Sequence, residues 1–199
     1  MRNIVVDNKE KFYKRIWLYK SMLYKTTTFE NRNNDEELNG IIKALNIKNR
    51  RKRIEFVYDY SCNKIDEFYK GKNVCGFKNN KCYNQQAPNC TYINGCCRLC
   101  PYQTTHGCPD SNLSCKLFYC DTVTNKYKTI KMKDLKILKL FSIRQRIIIK
   151  DSFFSKRKEI LLDLYIGSII FFAMRLLYRG IRNFIRLKKV KRAFLQEEK

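Results

Sequence analysis

Ten cysteines lie between Cys62 and Cys120, together with the only histidine, His106, and all three prolines of the 199-residue chain. Thiols and an imidazole at this density can hold a metal ion, close disulfides, or exchange electrons with a partner thiol. Only Cys97-Arg98-Leu99-Cys100 has the two-residue gap that lets two thiolates from one turn reach a single ion. Apart from the adjacent Cys96 and Cys97, the other gaps run from four to twelve residues and match no standard zinc finger. Tetrahedral zinc needs four sulfur or nitrogen ligands. Cys75, Cys82, Cys90, Cys96, Cys97, Cys100, Cys108, Cys115 and Cys120, with His106, are enough for two closed sites, and four-cysteine iron–sulfur ligation fits the same inventory.

Composition says why something must grip this segment. Between Cys75 and Cys115 the chain is mostly Asn, Gln, Lys, Gly and Pro, with single apolar residues such as Phe77, Tyr83, Ile93 and Leu99. So little apolar area does not offset the entropy of ordering the chain, and cross-links must make up the difference. Metal and disulfides compete for that role. Met1-Arg2-Asn3-Ile4-Val5-Val6-Asp7 is too short in apolar residues for a secretory signal, so a cytoplasmic location with reduced thiols is expected, which favours metal.

Asn94-Gly95-Cys96-Cys97, Cys100-Pro101-Tyr102, Gly107-Cys108 and Cys115-Lys116-Leu117-Phe118-Tyr119-Cys120 together resemble the YkgJ-type cysteine-cluster proteins. Those share a Gly-Cys-Cys element, a Cys-Pro-aromatic element and a late cysteine pair. The resemblance covers residues 94–120 and implies zinc or iron–sulfur binding at Cys96, Cys97, Cys100, Cys108, Cys115 and Cys120, with no named reaction. The chain lacks that family's long spacer after the Cys-Cys pair and its Arg-Pro before the last cysteine.

Catalytic templates find little support. His106 would have to serve any histidine-dependent triad, and no glycine-rich phosphate loop is present. Glu36 and Glu37 are better placed to start a helix than to exchange protons. Cys97 and Cys100 could form a redox pair with Arg98 lowering a thiol pKa, which keeps a thiol redox enzyme or cluster carrier as a third reading.

The elements that must position the cysteines are helical. The expected fold is mainly α, with a small loop-rich cysteine module, helical N- and C-terminal arms and one or two short strands. Three parts are expected: residues 1–61, the cysteine module 62–121, and a basic region 122–199. Phe12, Ile16, Tyr19 and Leu23 form one stripe of a first helix starting near Asp7 or Asn8, widened by Trp17 and Leu18. A second helix starts at Asp35-Glu36-Glu37 and carries Leu38, Ile41, Ile42 and Leu45. Arg50-Arg51-Lys52-Arg53 is read as a solvated linker, and the alternation from Ile54 to Tyr60 as a strand. A second short strand is read over 127–132, and a helix from Asp134 to about Lys150, with Lys136, Lys139, Arg146 and Lys150 along one line. Ser155 is read as the cap of the last helix.

Charge and the C-terminal helix point to a partner. Lys and Arg number 42 against 18 Asp and Glu, a net charge of +24, of which residues 121–199 contribute +14. A polyanion, bilayer or nucleic acid, suits that balance. Leu164 to Met174 is an uncharged run of eleven, read as part of one helix and too short for a clean span. Beyond it Arg175, Arg179, Arg182, Arg186 and Lys189 recur at three and four opposite Met174, Leu177, Ile181, Phe184 and Ile185. Such a helix lies in a headgroup layer or meets an acidic partner. The sequence therefore reads as a non-enzymatic zinc or iron–sulfur protein, cytoplasmic and peripheral to or anchored at an anionic membrane. A nucleic-acid-binding zinc protein is the alternative.

Overall fold

The structure, a computed structural model, describes residues 2–20, 26–32, 35–76, 112–153 and 155–197. The fold is mainly helical, as the sequence implies, with one small sheet. Strand β1 (Arg2–Val6) runs parallel to β2 (Thr27–Asn31), with Ile4 opposite Phe29. A parallel pair needs a crossover, and α1 (Lys9–Leu18) provides it, capped by Asn8, whose side chain accepts from the Lys11 N–H. The far edge of β2 is closed by a side chain. Asn46 accepts from the Phe29 N–H and donates to the Phe29 carbonyl, both at 2.9 Å, so one amide stands in for a third strand.

Helix α2 (Glu36–Asn46) forms where its acids and apolar spacing place it. Asp35 caps it by accepting from the Leu38 N–H at 2.8 Å, and Leu38, Ile41, Ile42, Ala44 and Leu45 are buried. Gly40 lets the next helix come close: a Cβ there would sit 2.4 Å from the Tyr60 ring.

Two expectations fail together at α3 (Arg50–Tyr69), which replaces the linker and the strand. Its buried residues Ile54, Val57, Tyr58, Ser61 and Ile65 follow a helical spacing of three and four, so the alternation from Ile54 to Tyr60 was a coincidence of aromatic-rich sequence. Asn49 caps it, and Arg53 turns back to donate to the Ile47 carbonyl at 2.8 Å, so the basic run opens a helix. Trp17 is 66 % exposed and does not widen the stripe of α1, while Phe12 and Ile16 are buried. Leu23 lies outside the described residues.

The chain re-enters the body at Asn112 and forms α4 (Leu113–Leu117) and α5 (Asp121–Lys126). Residues 127–132 make no strand; instead the Ile130 N–H donates to the Tyr69 hydroxyl at 2.9 Å. The helix expected over 134–150 is divided. Two 3-10 turns (Met132–Asp134 and Lys136–Leu140) precede α6 (Ile143–Asp151), which Ser142 and Gln145 start with a reciprocal cap. Tight turns suit Ile137, Leu138, Leu140 and Phe141, which are all buried. Lys136 and Lys139 consequently do not share a helix with Arg146 and Lys150.

Helix α7 (Arg157–Ile166) starts after Lys156, not Ser155, whose hydroxyl donates to the Phe153 carbonyl. Gly167, at φ 63°, ends α7 and separates it from α8 (Ile169–Glu197), so the uncharged run spans two helices. No described helix is long and apolar enough to cross a membrane.

One buried residue fixes the return of the cysteine segment. Asn112 donates to the carbonyls of Ser152 and Ser155 at 3.0 and 2.9 Å and accepts from the Cys115 N–H at 3.0 Å. Asn112→Ala leaves two carbonyls and one amide unpaired. It is expected to lower stability by about 2–3 kcal/mol, read as a lower urea midpoint at unchanged slope.

Candidate functional site

Two clusters of tyrosine and cysteine lie among the described residues that flank the cysteine segment. Cys62 projects from α3 and packs, half-buried, against the core. One turn earlier on the same helix, Tyr58 is 1 % exposed, and its hydroxyl accepts from the Leu113 N–H at 3.1 Å. Burial raises the Tyr58 phenol, and the nearby Cys62 and Cys115 raise it further. Burial likewise pushes the Cys62 thiol up to about 12. On the other side of Asn112, the Ser114 hydroxyl donates to the Ile149 carbonyl, and Lys116 pairs with Asp66 of α3. The start of α4 is therefore tied to α3 and α6 on three successive buried residues, Asn112, Leu113 and Ser114.

The second cluster joins Tyr69 at the end of α3 to Tyr119, with ring centroids 5.3 Å apart. Burial raises the Tyr119 hydroxyl, with its hydrogen bond to Tyr69 and the neighbouring Cys75 thiol adding to the effect. Cys75 and Cys120 are half-buried. Among the described residues no disulfide joins Cys62, Cys75, Cys115 and Cys120, and no group of three or more His, Cys, Asp or Glu is placed to hold a metal. Cys82, Cys90, Cys96, Cys97, Cys100, Cys108 and His106 lie outside the described residues.

The candidate anion contacts divide by what they already touch. Arg175 faces the body: its guanidinium lies 2.9 Å from Asp163, which is 1 % exposed, and 3.9 Å from Glu159. Lys136 is half-buried and its backbone N–H donates to Glu37, while exposed Lys139 sits over the Tyr13 ring. Arg146 is half-buried with its Nε lacking a hydrogen-bond partner. Lys150 and Arg182 are exposed. Arg179, Arg186 and Lys189 lie on α8 at positions whose side chains are outside the described set.

Helix α8 carries the largest feature of the surface. Phe172 is buried and Leu176 packs partly against the core, but Ile170, Met174, Leu177, Tyr178, Ile181, Phe184 and Ile185 are each 50–76 % exposed. They follow one another at intervals of three and four and make a continuous apolar stripe. By helical register, positions 175, 179, 182, 186 and 189 centre roughly 120° away around the helix axis.

No family model, curated protein or solved structure matches the chain. Sequence reasoning found the α8 stripe from its spacing. It missed Tyr58, Asn112 and Ser114, whose partners lie 35–55 residues away in the chain and leave no periodic signal.

At pH 8 a thiol with a pKa near 12 is ionised in only roughly one molecule in ten thousand, and the thiolate is the nucleophile. Cys62 is therefore expected to resist iodoacetamide in the native protein and to react fully in urea, as read by peptide mass mapping. Prompt native labelling of Cys62 would show that α3 does not bury it.

Proposed function

We propose that the protein is a non-enzymatic metal-binding protein that rests on an anionic membrane surface through α8. The cysteines of residues 75–120 hold zinc in this reading, with an iron–sulfur cluster as the alternative centre. The observation that carries it is the exposed apolar stripe of α8 beside a basic sector. A chain carrying +24 has a surface that an anionic layer attracts from a distance, and the stripe supplies apolar area to bury once contact is made.

Magnitudes favour both contributions together. Each large apolar side chain removed from water contributes about 1.5–3 kcal/mol, and each cation near anionic headgroups about 1 kcal/mol. Arg175 is engaged with Asp163, so Arg182 and the positions at 179, 186 and 189 are the ones left to the headgroups. Support for metal comes from the composition of the cysteine segment, which has too little apolar area to order itself, and from its resemblance over residues 94–120 to cysteine-cluster proteins.

The test is flotation of the full chain with vesicles of graded phosphatidylserine content, alongside metal analysis of protein purified without chelator. Binding is expected to rise with anionic lipid and fall with salt. Leu177→Glu with Ile181→Glu is expected to weaken it at least tenfold while leaving the thermal melt unchanged. Zinc or iron is expected at one or more equivalents per chain, falling in Cys97→Ser with Cys100→Ser. Flotation indifferent to the glutamates, with tight salt-sensitive binding to nucleic acid, would overturn the membrane assignment in favour of the alternative.

A further inference from the structure

A cavity of about 680 Å³ opens between the end of α1, the first turns of α3, the start of α6 and the α7–α8 corner. That is the size of a small-molecule site. Four cations line it, Lys20, Arg50, Arg53 and Arg144, and among the described residues no lining residue is acidic. Ile143 and Ile166, 70 % and 41 % exposed, contribute apolar wall over the buried Val57 and Phe141.

Two of the cations are held there by contacts within the fold. Arg53 donates to the Ile47 carbonyl, and Arg50 lies 5.4 Å from the Tyr165 ring, close over Gly167. Arg144 belongs to the first turn of α6, whose amide dipoles add positive potential at the same wall. None of Lys20, Arg50 and Arg144 forms an ion pair among the described residues. Lys20 is half-buried, and burial together with Arg146 and Arg53 lowers its ammonium to about 8. A solvated basic face spreads its charges into water, whereas here they converge on a concave space with apolar walls.

We infer that this cavity binds a phosphate monoester, the phosphate held by Lys20, Arg50, Arg53 and Arg144 and the organic part against Ile143 and Ile166. Guanidinium groups suit phosphate because their planar fork donates two parallel hydrogen bonds, and an ammonium adds a point charge. The ester could be a lipid headgroup or a soluble metabolite, since both offer the same dianion. This site is separate from the stripe of α8 and does not depend on the membrane reading.

The sign of the proton linkage follows from Lys20. Its free amine titrates near pH 8, and an adjacent dianion raises that value, so binding takes up a proton above pH 8 and none near pH 6.5. The phosphate itself titrates near pH 6 and is already a dianion at pH 8.5.

Calorimetric titration of the full chain with inositol trisphosphate and with dihexanoyl phosphatidic acid tests this, in two buffers of different ionisation enthalpy at pH 8.5, with succinate as the charge control. One molecule per chain is expected to bind, with proton uptake, and succinate at least tenfold more weakly. Lys20→Gln is expected to weaken binding about tenfold and abolish the uptake. Arg144→Gln, at an exposed position that leaves the core intact, is expected to weaken binding about tenfold and keep the uptake. Preference for phosphatidic acid identifies a lipid source and preference for the trisphosphate a soluble one. Binding of neither probe, or binding that both variants leave unchanged, would overturn the inference.

Discussion

The pair between Arg175 and Asp163 decides which way α8 faces. Asp163 is almost fully buried at 1 % exposure, and a carboxylate in that setting needs its guanidinium partner at 2.9 Å. Breaking such a pair typically costs about 3–5 kcal/mol, more than one exposed apolar residue gains by turning inward. With Arg175 and Phe172 against the body, helical register leaves the line from Ile170 to Ile185 directed away from it. The exposed stripe is therefore a consequence of how α8 is rooted. An arginine that the repeating basic pattern groups with surface contacts serves instead as the root.

The described residues on either side of the cysteine segment pack into one body. Apolar residues from α1 through the first turns of α8 share one core. Asn112, Leu113 and Ser114 are bound to three different elements, the α6–α7 corner, α3 and α6. Cys62, half-buried on α3 with its thiol raised by burial, packs against that core.

Legibility in the sequence followed the strength of local signals. Helix α2 was readable because acids at its start and apolar residues at three and four agree. Helix α3 was not, since four basic residues oppose the dipole at its start and the aromatics of Ile54 to Tyr60 also fit a strand. Strands β1 and β2 are five residues each, separated by a helix, and only their pairing makes them a sheet. The split at 134–150 depends on burying Ile137, Leu138, Leu140 and Phe141 together, and that at Gly167 on a left-handed residue that any surface glycine could have been. For the site, the stripe of α8 showed in its spacing. The pocket cations did not, because Lys20, Arg50 and Arg144 meet only through the tertiary fold.

Depth in the bilayer is the most direct test of the stripe. In a Trp17→Phe background, the chain's one native indole is gone, and single tryptophans can be placed by Leu177→Trp, Ile181→Trp, Phe184→Trp and Arg182→Trp. On anionic vesicles containing brominated lipid, the account predicts strong quenching at the first three positions and weak quenching at Arg182→Trp. Equal, water-like fluorescence at all four would contradict it.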